Sequence, residues 1–262
     1  MKLYFLGTGA GGVLECYNTC FAIENNDEYL LVDGGGGNQI IKQLKLAKIN
    51  LNSIHNIFIT HSHCDHILGV VWVVRFISQL IKNNKGYEGN LNIFGCNHAI
   101  SSLKTILDLT YPQHEMFKDR IKLIEVKNNQ QIEINNLNFR FFDTLAKKVQ
   151  QFGFILNNKL MFCGDEPLQK ENYELAKNKD WLIHEAFCLE SDEPVFKAHE
   201  KSHSTVLDSA KTAQTVNAKN LILLHSVDND LKNRKSLFCK EANSIFKGNT
   251  FTPNDFDIIE IY

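Results

Sequence analysis

Apolar residues along the chain fall into short runs that alternate between two periods. Alternating or continuous apolar runs predict strands at Lys2–Leu6, Cys20–Glu24, Tyr29–Val32, Asn56–Thr60, Leu91–Phe94, Trp181–Glu185, Leu221–Leu224 and Asp257–Ile261. Helical spacing predicts helices over Gln39–Ala47, Ile67–Lys82, Ala99–Thr110, Gln169–Asn178 and Ser204–Val216, with a last one inside Ser236–Phe246. The run Gly34–Gly37 opens the first of these. Between Ile121 and Phe162 the chain reads as strand throughout, broken by hairpin-type turns at Val126–Gln130 and Leu156–Lys159. Strands come first and helices are interleaved later, in both halves, which predicts an α/β chain with two sheets. No internal repeat or Pro/Gly/Ser-rich linker interrupts it, and the only prolines are Pro112, Pro167, Pro194 and Pro253. Residues 1–262 therefore read as a single domain.

Composition narrows the classes. With 262 residues, 44% hydrophobic and 10% aromatic, the chain has ample material for a core, which excludes disorder as its main state. Lys+Arg 28 against Asp+Glu 30 gives a formal net charge of −2, so the basic excess of a protein built to wrap nucleic acid is missing. The uncharged apolar stretch Ile67–Val74 is far shorter than the roughly 20 residues of a membrane span, so no membrane partner is expected. Met1–Gly7 reaches glycine too soon for a signal peptide and reads as a strand. Cys16, Cys20, Cys64, Cys96, Cys163, Cys188 and Cys239 form no CxxC pair, and are expected to be reduced thiols of a cytoplasmic protein.

Chemistry concentrates in Thr60-His61-Ser62-His63-Cys64-Asp65-His66, directly after the apolar run Ile57-Phe58-Ile59. Three imidazoles and a carboxylate in so short a span offer the N and O donors preferred by Zn²⁺, Mn²⁺ or Fe. His61 and His63, two apart on an extended loop, can point at one ion. Asp65 and His66, where a helix begins, can turn toward a second. A paired site of this kind suits in-line displacement at phosphate.

His61-Ser62-His63-Cys64-Asp65-His66 after a strand resembles the metal motif of the metallo-β-lactamase fold superfamily, and Gly7-Thr8-Gly9 and Asp33-Gly34-Gly35-Gly36 resemble its N-terminal glycine turns. Cys163-Gly164-Asp165, His184-Glu185-Ala186-Phe187, His203-Ser204-Thr205 and Leu224-His225-Ser226 are most similar to the ribonuclease Z (transfer-RNA 3′-processing endonuclease) branch. The resemblance implies a four-layer αββα sandwich with the metals at one edge, between the sheets. It also implies two divalent ions, Zn²⁺ first and Mn²⁺ or Fe as alternatives, and a homodimer by analogy. It assigns His61, His63, Asp65, His66, Asp165 and His225 as metal ligands, with Asp165 bridging. Asp65, His203 and Glu185 are the catalytic residues it implies: His203 as proton donor to the leaving oxygen, oriented by Glu185. His203 before Ser204 also reads as a helix start with Ser204 as cap, and His184, alternating with Glu185 on a strand, faces the other way.

Two departures from the family pattern bear on function. The family places a further ligand His ahead of an aromatic-Gly-aromatic run, here Phe152-Gly153-Phe154. The segment before it, Phe141–Lys147, contains no His, and Leu145 or Thr144 stands at that position, with Asp143 as a conceivable replacement. The interval from Leu145 to Asp165 also holds only one hairpin, where the transfer-RNA enzymes carry a protruding arm, and Glu166 follows Asp165. An acidic residue there repels a polyphosphate backbone. The expected activity is a metal-dependent phosphodiesterase that uses a metal-bridging hydroxide with His203 as general acid, acting on a small cyclic or linear nucleotide or on single-stranded RNA. The alternatives are a non-catalytic or weakly active metal-binding relative, and transfer-RNA 3′ processing proper.

Overall fold

Short apolar runs pair into two seven-stranded sheets in the computed structural model, which describes residues 1–262. In chain order the first sheet takes β1 (Lys2–Gly7), β2 (Cys20–Asn25), β3 (Glu28–Val32), β4 (Ile54–Ile59), β5 (Leu91–Gly95) and β6 (Ile121–Glu125). The second takes β7 (Gln131–Ile134), β8 (Leu137–Asp143), β9 (Phe152–Leu156), β10 (Leu160–Phe162), β11 (Trp181–Glu185), β12 (Asn220–Leu224) and β13 (Asn249–Phe251). The last strand, β14 (Ile258–Glu260), returns to the first sheet and pairs antiparallel with β1. Helices α1 (Gln39–Leu46), α2 (Cys64–Lys82) and α3 (Asn97–Thr110) cover the first sheet. After two single-turn helices, α4 (Tyr173–Ala176) and α5 (Glu193–Phe196), helices α6 (Val206–Thr215) and α7 (Leu231–Asn243) cover the second. This is the α/β, four-layer αββα sandwich of the metallo-β-lactamase fold.

The strand period places the core. On β8, Phe139 and Phe141 point into the space between the sheets while Phe142, next in sequence, points into the layer under α6 and α7. Between the sheets Phe58 of β4 lies 5.0 Å from Phe141 and 5.7 Å from Phe154, ring centre to ring centre. Phe21 meets Phe162 edge to face at 5.2 Å. These rings join two sheets that share no continuous backbone ladder, so apolar contacts are the main tie between them, with single main-chain bonds such as Phe152 N–H to the Thr60 carbonyl crossing at the edge.

Boundaries shift where local pattern competes with tertiary contacts. Helix α2 begins at Cys64 rather than Ile67, so Asp65 and His66 belong to its first turn. At 19 residues it is long and apolar enough to cross a membrane by length and composition alone, unlike the stretch Ile67–Val74 taken by itself. Its apolarity has a local cause: Ile67, Val70, Val73, Val74 and Ile77 are buried in the core that also contains both sheets' inner residues. The helix expected over Gln169–Asn178 is only a 3-10 turn, Lys170–Asn172, and α4. Asn172 is tied to the Asp143 carbonyl, and Asn178 ends the segment in the left-handed region at φ 58°. Strand β13, too short to show a period, was not predicted. The α6 cap is Thr205 rather than Ser204: its hydroxyl accepts the Asp208 N–H, and the Asp208 carboxylate accepts the Thr205 N–H in return.

Candidate metal centre

The sequence-predicted residues come from five places along the chain, all at the same edge of the sandwich. Thr60, His61 and His63 follow the end of β4, and Asp65 and His66 open α2. Asp165 follows β10, Glu185 ends β11 and His225 follows β12. Parallel strands β10, β11 and β12 end together, so the residues just beyond them converge, as is usual at the carboxyl ends of such strands.

Docking of the Asp33 turn on α2 sets the first half of the site. Gly34 N–H donates to the His66 carbonyl at 2.9 Å and Gly69 N–H donates to the Gly35 carbonyl at 2.8 Å. A Cβ on Gly69 would lie 1.7 Å from the Gly34 oxygen, so only glycine admits this contact. The turn holds Asp33, buried and at φ 57°, beneath the ligand loop. Its carboxylate accepts the His66 Nδ1–H at 2.8 Å, the Thr60 N–H at 2.8 Å and the Thr60 hydroxyl at 2.8 Å. With its proton directed at Asp33, the Thr60 oxygen is an acceptor toward His61 Nδ1–H, 2.9 Å away. One buried carboxylate therefore orients two imidazoles, His66 directly and His61 through Thr60, and turns Nε2 of both toward the cluster. Asp33 has no place in the motif, and only its position in a glycine turn marked it in the sequence.

The converging donors lie at short range. His61 Nε2 is 2.9 Å from His63 Nδ1 and 3.4 Å from Asp165 Oδ2. His66 Nε2 is 3.3 Å from Asp65 Oδ2 and 3.4 Å from Asp165 Oδ2. His225 Nε2 is 3.7 Å from Asp165 Oδ2. His225 also sits at φ 58°, an uncommon conformation for a residue with a side chain and one that concentrates at functional sites. Donors at about 2.1 Å from a tetrahedral ion lie roughly 3.4 Å from one another, which is the spacing found here. His66 Nε2 is buried and has no hydrogen-bond partner, an orphan that a divalent ion would satisfy. The donor set, all imidazole nitrogen and carboxylate oxygen, fits such an ion, and two triads share His66: His61/His66/Asp165 and Asp65/His66/His225.

Electrostatics agree with that donor chemistry. Burial pushes His61 down to about 3 and His225 down to about 4, so both are neutral bases at neutral pH. Burial alone would raise Asp165, but His61, His66 and His225 around it hold it well below the usual carboxylate range. His66 runs the other way: burial opposes its charge, yet Asp33, Asp65 and Asp165 raise it well above the ordinary value, so its Nε2 proton is one that a bound cation would displace.

His203 stands beside this cluster. Its Nδ1–H donates to the Asp165 carbonyl at 2.9 Å, and Glu185 Oε2 lies 3.4 Å from the same nitrogen. The main-chain oxygen, not Glu185 alone, therefore orients the ring, which also stacks on Phe187 at 4.6 Å and 4°. Glu185 is fully buried and accepts the Ser204 N–H; burial raises it to about 7, opposed by His203. For His203, burial is outweighed by Glu185, and its pKa is raised. His184 points away, donating to the Glu185 carbonyl and accepting from Leu168 N–H.

Leu145 does not stand in for a missing ligand. It is 46% exposed at φ 61° and outside the cluster, while the Thr144 hydroxyl bonds back to Gln151. Asp143 is held by its own turn, its side chain accepting the Leu145 N–H. The space beside His61 and Asp165 is filled by Gln151, 1% exposed, whose Nε2 lies 3.0 Å from His61 Nδ1 and donates to Asp165 Oδ1. Sequence reasoning missed Gln151 because glutamine is not expected at a ligand position; its place next to Phe152-Gly153-Phe154 was the available signal. A cleft of about 180 Å³ opens over the cluster, lined by Gly11, His63, Asp65, Lys148, Asp165, Glu166, His203 and His225.

Comparison with known proteins places the chain among close architectural relatives. A family model described as "Anti-Pycsar protein Apyc1" matches residues 1–240. Ribonuclease Z of Prochlorococcus marinus (strain MIT 9312) is 28% identical, with all of both chains covered. Among solved structures, the metallo-β-lactamase fold protein YhfI from Bacillus subtilis superposes with a TM-score of 0.81 at 19% identity, covering 99% of each chain. The short form of human tRNase Z superposes with a TM-score of 0.75 at 22% identity, covering all of each.

Proposed function

Because the chain belongs to the anti-Pycsar protein Apyc1 family and is a metal-dependent hydrolase of metallo-β-lactamase fold, we propose that it cleaves a phosphodiester bond in a small cyclic or linear nucleotide. The observation that carries this reading is the convergence of His63, Asp65, Asp165, His225 and the His203 imidazole on one cleft, with His61 and His66 buried directly behind them. His61, His63, Asp65, His66, Asp165 and His225 would hold divalent ions, Zn²⁺ or the Mn²⁺ and Fe that the same donors suit. Two such ions, when bound, neutralise charge developing on the phosphoryl group and lower the pKa of the attacking water.

The chain's own residues supply the rest. His203 is anchored through Nδ1–H, so its Nε2 faces the cleft and carries the proton that goes to the leaving oxygen. Glu185 favours the protonated ring and so keeps that acid loaded. Lys148 lines the cleft and adds a positive charge for a phosphate, while Glu166 on the same wall disfavours a long polyanion. The cleft is smaller than the ~300–1,000 Å³ of a pocket that encloses a drug-sized ligand. It accommodates the reacting diester and its immediate substituents, and the single β9–β10 hairpin takes the place of an RNA-gripping arm. All seven cysteines are unpaired, which supports a reducing, cytoplasmic setting.

The test is hydrolysis of bis(p-nitrophenyl) phosphate, of cyclic and linear mononucleotides and of precursor transfer RNA by the purified protein with added Zn²⁺ or Mn²⁺, against Asp165→Ala. Cleavage of the small diesters that disappears in the variant is expected, with the transfer RNA left intact. Bound metal without turnover of any substrate would favour a non-catalytic metal-binding relative, and efficient cleavage of the precursor would restore the transfer-RNA reading.

A further inference from the structure

Gln151 lies at the metal cluster, and neither the ligand motif nor the acid–base pair accounts for it. It is 1% exposed, and a buried carboxamide requires partners for both ends. Nε2 donates to Asp165 Oδ1, and Oε1 faces the Asp165 N–H at 3.4 Å and accepts from the Thr144 hydroxyl at 3.3 Å. The neighbouring backbone is shaped around this side chain. Gly164 has φ 85°, and a Cβ there would sit 2.4 Å from Gln151 Oε1 and 2.8 Å from its Cδ. Asp165 thus presents its two oxygens to different partners: Oδ1 to Gln151, and Oδ2 to Nε2 of His61, His66 and His225. His61 Nδ1 is shared, 2.9 Å from the Thr60 hydroxyl and 3.0 Å from the Gln151 amide nitrogen, so the carboxamide touches His61 as well as Asp165.

We propose that Gln151 is a positioning residue that takes the space of a further ligand without ligating, gripping Asp165 by Oδ1 so that Oδ2 alone serves the ions. The inference rests on the metal-centre reading above and extends it to a residue outside the ligand motif. Two consequences follow. With no further side chain from this segment, an ion beside His61 and His63 would have only Asp165, and His66 where it is shared, whereas the other would have Asp65, His66, Asp165 and His225, so the two ions would be held unequally. Loss of the grip also leaves Asp165 Oδ1 buried and unpaired and frees the carboxylate to rotate away, which weakens metal binding as loss of an outer partner typically does, by about 10–100-fold.

The experiment is titration of metal-free protein with Zn²⁺ against a chromophoric chelator, on the full chain, for wild type, Gln151→Met and Gln151→Glu. Met fills the same space without donors, and Glu keeps the shape but sets an oxygen against the Asp165 carboxylate. Wild type should take up one equivalent tightly and a second at least about 10-fold more weakly, and both variants should bind about 10–100-fold more weakly with unchanged circular dichroism. Wild-type affinity in Gln151→Met would overturn the proposal, because a space-filling role predicts it. Two equal sites in wild type would overturn the placement of Gln151 outside the ligand set. Where the variants do not fold, NMR of ¹⁵N-labelled wild type decides: the Gln151 side-chain amide protons must be protected from exchange, and free exchange overturns the grip. A wild type that takes up no zinc would sink the metal-centre reading itself. Zinc uptake with the expected pattern but no phosphodiester cleavage would leave the inference standing and remove only the proposed activity.

Discussion

Removing the imidazole of His203 separates its acid role from its structural one when the replacement is asparagine. The Asn side chain keeps an N–H donor near the Asp165 carbonyl, which His203 Nδ1 now reaches at 2.9 Å, but it has no group that can carry a proton to the leaving oxygen. General acid catalysis contributes typically ~10²–10⁴-fold, or about 2.7–5.4 kcal/mol at ~1.36 kcal/mol per tenfold. Burial around the ring, its stacking on Phe187 and the Glu185 carboxylate 3.4 Å away place this site toward the upper part of that range. The benefit depends on the leaving group: a sugar hydroxyl departs as an unstable alkoxide, whereas p-nitrophenolate leaves without a proton. His203→Asn should therefore lose the full factor in kcat on a nucleotide diester and much less on bis(p-nitrophenyl) phosphate, at unchanged zinc content. Stopped assays on the nucleotide and absorbance on the aryl ester measure the two rates. Equal losses on both substrates would refute the proton-donor assignment and leave His203 as a binding or structural residue.

Further expectations address the scaffold. Asp33→Asn leaves one accepting oxygen where two accept from Thr60 and His66, so either the Thr60 N–H or the pair His66 and Thr60 hydroxyl meets a donor, and zinc affinity should fall by about 10–100-fold, read by metal analysis after dialysis. Phe58→Ala opens a cavity between the sheets where the ring meets Phe141 and Phe154, and should cost about 3–5 kcal/mol in chemical denaturation. Thr205→Ala breaks the reciprocal cap of α6 and should cost about 1 kcal/mol by the same measurement, whereas Ser204→Ala should leave the cap in place.

Much of the architecture was legible because its cause is local. An apolar run bounded by turn residues states a strand, and β11 runs from Trp181 to Glu185 as its pattern predicts. Asn157-Asn158 closes the β9–β10 hairpin because asparagine tolerates the left-handed backbone, at φ 48° and 56°. The Asn135-Asn136 turn, built the same way at φ 53° and 57°, was lost inside a long strand-like stretch, since strands on both sides share one period. Helix α2 was read three residues short because His63 offers no side-chain cap and nothing in the local sequence marks Cys64 as the start. The Asp33–Gly36 turn, by packing backbone to backbone on Gly69, fixes where that helix begins relative to the loop.

Which chemistry is available follows from residue identity and order. A short span carrying three histidines and an aspartate, a Gly-Asp after one strand and a histidine after another are donors whatever encloses them. The α/β layering followed from periodicity, and the branch of the superfamily from the order of its motifs. Tertiary structure alone decided how those donors are poised. Asp33, distant in sequence, orients His66 directly and His61 through Thr60, and the Asp165 main-chain carbonyl shares with Glu185 the task of aiming His203. Gln151, and not Leu145, lies against His61 and Asp165. The physical reason is the same in each case. A ligand's identity is a property of one side chain, but its protonation and direction depend on buried partners, and those are brought within hydrogen-bond reach only when the two sheets close on each other.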